Sequence, residues 1–325
     1  MREPGIPALF TREAVAPVAL LAAWTTLAVL NPFFLSLSNM VNIAGQVGPL
    51  AVVALGQMLV IVTGGFDVSI GAVAGLATVS AALAMGKVGV AGAAVSPAVG
   101  LACGAVNGLL VGRFHIQPII ATLGMLSFAR GLALWLSGGE QAVTLPSGST
   151  LHWLGYGEVV GVPAGLLVAG GLTAGVSLFV RRVRLGRWLY MAGSNREGAA
   201  LVGVPVTASL AWAYALCGLA AGLAGLIFMG RSGAGLPTEG RGLELEAIAA
   251  AVIGGTALTG GIGKPVPVVL GALFIQSLGN GLDLAGMSPF VKEVVLGGVI
   301  LCAGLLDFAI RQFRGAQLSR KGGLP

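Results

Sequence analysis

Long apolar runs alternate with short polar or basic connectors along most of the chain. The runs 89–112 and 159–180 contain no charged residue, and each has the ~20 residues that cross a bilayer as an α-helix. Extending that pattern predicts about ten transmembrane helices, near 14–34, 45–63, 69–86, 89–112, 117–137, 159–180, 206–229, 245–260, 266–283 and 290–310. The chain therefore reads as an all-α, polytopic membrane protein, with one transmembrane domain over 1–325. Two connectors stand out by length, 138–158 and 181–205.

Composition agrees. Charged residues make up 9% of the chain, hydrophobic residues 56%, and the mean hydropathy is +0.94. A soluble domain carries about 25% charged residues, so this chain cannot clothe itself in a solvated surface. Glycine is abundant, at 54 residues, without a collagen-like period. Small faces such as "GLAAGLAGL" at 218–226 predict closely packed helices. Cys103, Cys217 and Cys302 fall inside apolar spans and read as packing residues. The opening "MREPGIPALFTREAVAPVALLAAW" continues into a span longer than a signal peptide's apolar region.

Charge sets the orientation. With the N-terminus inside, only Lys87, Arg231, Arg241 and Lys292 of the 18 basic residues fall outside, and Arg130 lies within the fifth span. That bias is the positive-inside pattern, and it puts both termini in the cytoplasm of a bacterial inner membrane. The net charge of +6 follows from these loops and lipid headgroups and calls for no nucleic-acid partner.

Catalytic signatures are missing. "GGIGKP" has proline after Lys264 and the wrong glycine spacing for a phosphate-binding loop. There is no G-x-S-x-G or H-E-x-x-H, and the two histidines, His115 and His152, lie near connectors. The chain is expected to be no enzyme, to bind no metal and to hold no cofactor. Ion coupling calls for ionisable groups inside the membrane. The candidates are Asp67, Arg130, Glu244, Glu246 and Asp283, and all but Arg130 sit at span edges. An ion-gradient-driven carrier is the alternative these residues leave open.

Two apolar runs are interrupted alike. In "VTGGFDVSIGAV", Gly64 and Gly65 weaken the helix, Asp67 can cap the next one, and Ser69 and Gly71 stand close behind. In "AVIGGTALTGGIGKP", Gly254, Gly255, Gly260 and Gly261 bracket Thr256 and Thr259. The likeness suggests a weak parallel repeat, 45–137 and 206–310, with both breaks on the cytoplasmic side. Irregular backbone at membrane depth is tolerated where it is buried or faces water. Asp67, Ser69, Thr256, Thr259 and Asn280 are thus candidate substrate-path residues, and Asp67 reads either as a helix cap alone or as a substrate contact besides. In 138–158, Trp153 and Tyr156 serve as interfacial anchors or as part of a docking surface. In 181–205, Asn195 predicts the N-cap of a short helix, resting on lipid or gripping a cytoplasmic partner.

Four stretches in order, "GQMLVIVTGGFDVSIGAVAGLATV", "PIIATLGMLSFARGLALWLSGG", "GRWLYMAGSNREGAALVGV" and the C-terminal "GLELEAIAAAVIGGTALTGGIGKPVPVVLGALF", resemble permease subunits of ribose/xylose-type ATP-binding-cassette sugar importers. The resemblance implies a non-catalytic subunit of the vitamin B12-type importer fold. It also implies a second permease copy as a homodimer, a cytoplasmic ATPase holding ATP and Mg, and a periplasmic or surface-anchored solute-binding protein. Permeases of this kind for a quorum signal, nucleoside or polyol are further alternatives. The family's ATPase-coupling loop maps onto Gly193, Asn195, Arg196, Glu197, Ala199 and Gly203. Here the chain departs from its relatives: Arg196 stands for a proline, Gly198 for an alanine and Ala200 for an arginine, while Glu246 stands where aspartate is usual.

Overall fold

The computed structural model describes residues 12–146 and 149–321, so the expectations for the two chain ends lie largely outside the described residues. Helix α1 (Arg12–Leu30) turns through a short 3-10 helix, Pro32–Leu35, into α2 (Leu37–Val62). Ser36 caps α2 by accepting a hydrogen bond from the Asn39 amide. After a break at 63–69 come α3 (Ile70–Val88), α4 (Val95–Gly112) and α5 (Pro118–Ser137). Pro118 opens α5, where its missing N–H costs no helix bond.

The connector after α5 carries α6 (His152–Tyr156) and two-residue strands. Strand β1 (Val143–Thr144) pairs antiparallel with β4 (Ala234–Gly235), and β2 (Glu158–Val159) with β3 (Val162–Pro163). Then follow α7 (Ala164–Arg182), α8 (Arg184–Ser194), α9 (Arg196–Leu201) and α10 (Val206–Ser232). The chain closes with α11 (Leu243–Ile253), α12 (Pro265–Leu284) and α13 (Pro289–Lys321).

Among the described residues, 6 helical stretches are long and apolar enough to cross a membrane, with 70–112 counted as one stretch although α3 and α4 divide it. The eighth expected span, 245–260, is different. It is the 11-residue α11, which rises only ~16 Å in a hydrocarbon layer of ~30 Å. The segment 233–242 explains this. Thr78 donates to Leu236 O at 3.2 Å, while Arg130 of α5 donates to Pro237 O at 2.5 Å and Glu239 O at 3.2 Å. A Cβ at Gly71 would strike Gly240 O and the Glu244 carboxylate. The segment thus runs along α3 from Thr78 to Gly71, and α11 begins level with the start of α3.

Helix α2 is the centre of the bundle, with 89% of its most apolar stretch buried, and α10, α12, α7 and α11 pack around it. The tightest seam joins α4 to α10. Gly100, Gly104, Gly108 and Gly112 recur every fourth residue and lie against Gly218, Gly222, Ala211 and Thr207. A Cβ at Gly108 would lie 2.7 Å from Ala211 Cα, so only hydrogen fits there. This is the small-residue packing of membrane helices, and it uses Gly218 and Gly222 of the face read from the sequence.

Candidate functional site at the junction of two broken helices

The break at 63–69 folds back into the bundle. Asp67 Oδ1 accepts from the Ser69 backbone N–H at 2.8 Å and the Ser69 hydroxyl at 2.6 Å. These bonds close a turn ahead of α3, whose N-cap residue Ser69 makes no side-chain capping bond, so Asp67 ties the turn rather than capping the helix. Three other helices hold it in place. From α4, Asn107 Nδ2 donates to Ser69 Oγ at 2.9 Å and reaches Asp67 Oδ2 at 3.5 Å. Tyr214 of α10 donates to Phe66 O at 3.3 Å. The Gln57 side-chain amide of α2, in the orientation that satisfies it, donates to Asp67 O and accepts from Asp67 N, both at 3.2 Å. Asp67 is 2% exposed and Ser69 0%, so the carboxylate is shielded from lipid, where an unpaired charge is costly.

The second break, 254–264, meets the first. Gly261 N donates to Val62 O, the last carbonyl of α2, at 2.8 Å, and Gly64 lies over Thr259 O. Thr256 is buried beside Gly263, and its hydroxyl has no partner among the described residues. Thr259 is exposed. Asn280 belongs to neither break. It forms a reciprocal amide pair with Asn39, at 2.9 and 3.0 Å, while Asn39 also donates to Phe34 O at 2.8 Å. That clamp sits near the start of α2, about 35 Å along the helix from Val62 at 1.5 Å per residue.

The connector 183–205 reaches both breaks. A Cβ at Gly193 of α8 would overlap Val62 O and lie 2.9 Å from Gly261 N, and Gly260 packs on Gly193 O. Tyr190 donates to Gly263 O at 2.8 Å. Burial pushes its hydroxyl up to about 12, so it remains a donor at neutral pH. Beyond α8, Asn195 caps α9 as its position suggests, accepting from Gly198 N at 2.9 Å. Ala199 is buried, whereas Arg196, Glu197 and Gly203 are exposed. Leu201 and Val202 at the tip are 88% and 69% exposed.

The sequence does not single out Gln57, Asn107 or Tyr214. Each is a lone hydrogen-bonding side chain in an apolar span, which is the signal that could have found them. Of the ion-coupling candidates, Arg130 is occupied by two carbonyls, and Asp283 pairs with Lys292 at the α12–α13 turn. Glu244 and Glu246 stand in the first turn of α11. In the 138–158 connector, Tyr156 donates to Arg231 O at 3.0 Å, and Trp153 is half exposed. No group of three or more metal-ligating side chains gathers among the described residues.

Apolar spanning helices, two interrupted helices that touch, and a long connector seated on both interruptions describe a multi-pass membrane protein of the permease class. The chain belongs to the family described as the branched-chain amino acid transport system / permease component, whose model matches residues 39–304. It is 37% identical over 302 residues to the ribose import permease protein of Escherichia coli K12, covering 91% of this chain and 93% of that one. The ribose import permease protein of Bacillus subtilis 168 is 38% identical over 289 residues, 86% of this chain and 87% of its own. The autoinducer 2 import system permease protein of Klebsiella pneumoniae is 36% identical over 307 residues, 94% and 88%. No solved structure matches. The resemblance read from the four sequence stretches therefore holds.

Proposed function

We propose that this chain is the membrane permease of an ATP-binding-cassette importer that carries a ribose-like monosaccharide into the cell. The observation that carries the mechanism is Gly193, wedged against Val62 O and Gly261 N. A push on the cytoplasmic connector reaches both helix breaks through backbone atoms, with no flexible side chain between. In this reading a partner ATPase, holding ATP and Mg, grips α9 through Leu201, Val202, Arg196 and Glu197. Its closure displaces α8, and the breaks pass between outward- and inward-facing arrangements. A solute-binding protein delivers sugar against the outer connector, and a second copy of the chain completes the path. The vitamin B12-type arrangement is proposed on the resemblance alone.

Asp67, Ser69 and Thr256 are buried within one chain, which supports a role in the wall of the path. Arg130, Glu239, Glu244 and Glu246 are only partly buried, and Arg241 is exposed. Charges at membrane depth need water or protein beside them. We therefore infer that the path runs along this face.

The test is uptake into proteoliposomes holding the chain, its ATPase and its binding protein, with labelled ribose, allose or autoinducer 2. Ribose uptake that needs internal ATP and all three components is the expected result. Gradient-driven uptake by this chain alone would make it a carrier. ATP-driven uptake of autoinducer 2 but not ribose would keep the permease and change the solute.

A further inference from the structure

A groove of about 330 Å³ opens between the end of α7, the first half of α8 and the start of α12, on the side that the charge pattern reads as cytoplasmic. Arg181 from α7, Arg187 from α8 and Lys264 from the head of α12 line it, with Ser177 beside them. Arg181 and Arg187 are exposed, and no carboxylate among the described residues lines the groove beside them. The floor is apolar, made by Val180, Pro265, Val266 and Pro267, and Val266 is 57% exposed. Tyr190 forms one wall, fixed by its bond to Gly263 O.

We propose that this groove holds the phosphate headgroup of an anionic phospholipid. Guanidinium groups match phosphate oxygens in a two-pronged geometry, and Arg181 and Arg187 bring two of them to one groove from different helices. The groove lies where two apolar spanning helices end at the cytoplasmic face, the depth of the headgroups. A soluble anion would use the charges and leave Val180 and Val266 wet, whereas the glycerol and upper acyl carbons of a lipid cover them. An acidic protein loop is a poorer match for the same reason. Helix α9 packs on α8 and α10 and contributes nothing to the lining, so a partner bound at α9 leaves the groove open. The inference does not depend on which solute is carried.

The full chain would be placed in nanodiscs of phosphatidylcholine and phosphatidylglycerol in equal parts, and retained lipid counted by native mass spectrometry. The wild type is expected to retain phosphatidylglycerol in preference. The double variant Arg181→Ala/Arg187→Ala should lose about thirtyfold of that preference, about fivefold for each basic group near the surface. Arg113→Ala, at the end of α4 and outside the groove, should lose less than either Arg181→Ala or Arg187→Ala alone. Should the double variant melt early in pure phosphatidylcholine, the two single variants carry the same test. Equal retention by wild type and double variant overturns the proposal. So does soluble glycerol 3-phosphate stabilising the detergent-solubilised protein as well as phosphatidylglycerol does, which would make the groove a soluble-phosphate site. Loss of ATPase binding in the double variant with lipid retention unchanged assigns the groove to the protein partner instead.

Discussion

Replacing Gly193 by alanine tests the contact on which the mechanism rests. The added carbon overlaps Val62 O and comes within 2.9 Å of Gly261 N. Both obstacles are backbone, so no rotamer change relieves them. Restoring an ordinary ~3.5 Å separation from Gly261 N alone takes ~0.6 Å, and clearing Val62 O, the severer overlap, moves α8 away from the breaks by more. Overpacking of this kind costs about 1–3 kcal/mol, and weakening the Gly261–Val62 hydrogen bond adds about 0.5–1.5 kcal/mol. Alanine returns about 0.5–1 kcal/mol through helix propensity, leaving a net loss of about 0.5–4 kcal/mol. Gly170→Ala in α7 is the matched control, because a Cβ there meets nothing within 4 Å. Purified Gly193→Ala should melt below wild type in detergent, and the assembled importer should take up less sugar per ATP hydrolysed. Gly170→Ala should match or exceed wild type in both. A Gly193→Ala protein as stable and as well coupled as wild type would refute the wedge.

The same geometry sets other outcomes. Asn107→Leu removes the donor to Ser69 and Asp67 and should cost about 1–3 kcal/mol, seen as a lowered melting temperature, whereas Thr256→Val, which removes an unpartnered hydroxyl, should be neutral or stabilising. Arg130→Gln leaves two carbonyls of the 233–242 segment without their cation and should speed hydrogen exchange there, with Arg130→Lys falling between. Asn195→Ala removes the cap of α9 at about 0.5–2 kcal/mol and should raise exchange at the Gly198 amide. The Tyr190 hydroxyl has its proton affinity raised to about 12 from the usual ~10. Its bond to Gly263 should therefore contribute fully below pH 10 and fade as the pH rises towards 12, so the melting difference between wild type and Tyr190→Phe should close over that window.

Much of the bundle is legible because a spanning helix must be apolar for its whole length. The expected spans 117–137 and 266–283 agree with α5 and α12 to within a residue or two. Helix α2 starts earlier than the apolar pattern predicts, since Asn39 and Asn42 interrupt the run, and Asn39 is satisfied by Asn280 on a helix 241 residues away. Helix α11 reads as a full span because hydropathy does not distinguish a segment that crosses from one that enters and stops. The Gly-Gly breaks are visible as composition. That they touch is not, because no local rule links residue 62 to residue 261. The turn at Asp67 is likewise legible, while its supports on α2, α4 and α10 come from packing.

The glycine seam between α4 and α10 limits how the bundle can move. Its teeth are four residues apart, about 6 Å along the axis. Sliding one helix along the other carries each glycine off the backbone it lies against, and turning α4 by one residue, ~100° about its axis, would bring Leu101 or Leu109 from its exposed face to positions where the opposing backbone leaves room only for hydrogen. Small shears of a few tenths of an ångström meet the same steric wall, and the next permitted register lies a full tooth away. The pair therefore acts as a keyed shaft: it can tilt or turn as one piece, but it cannot slip.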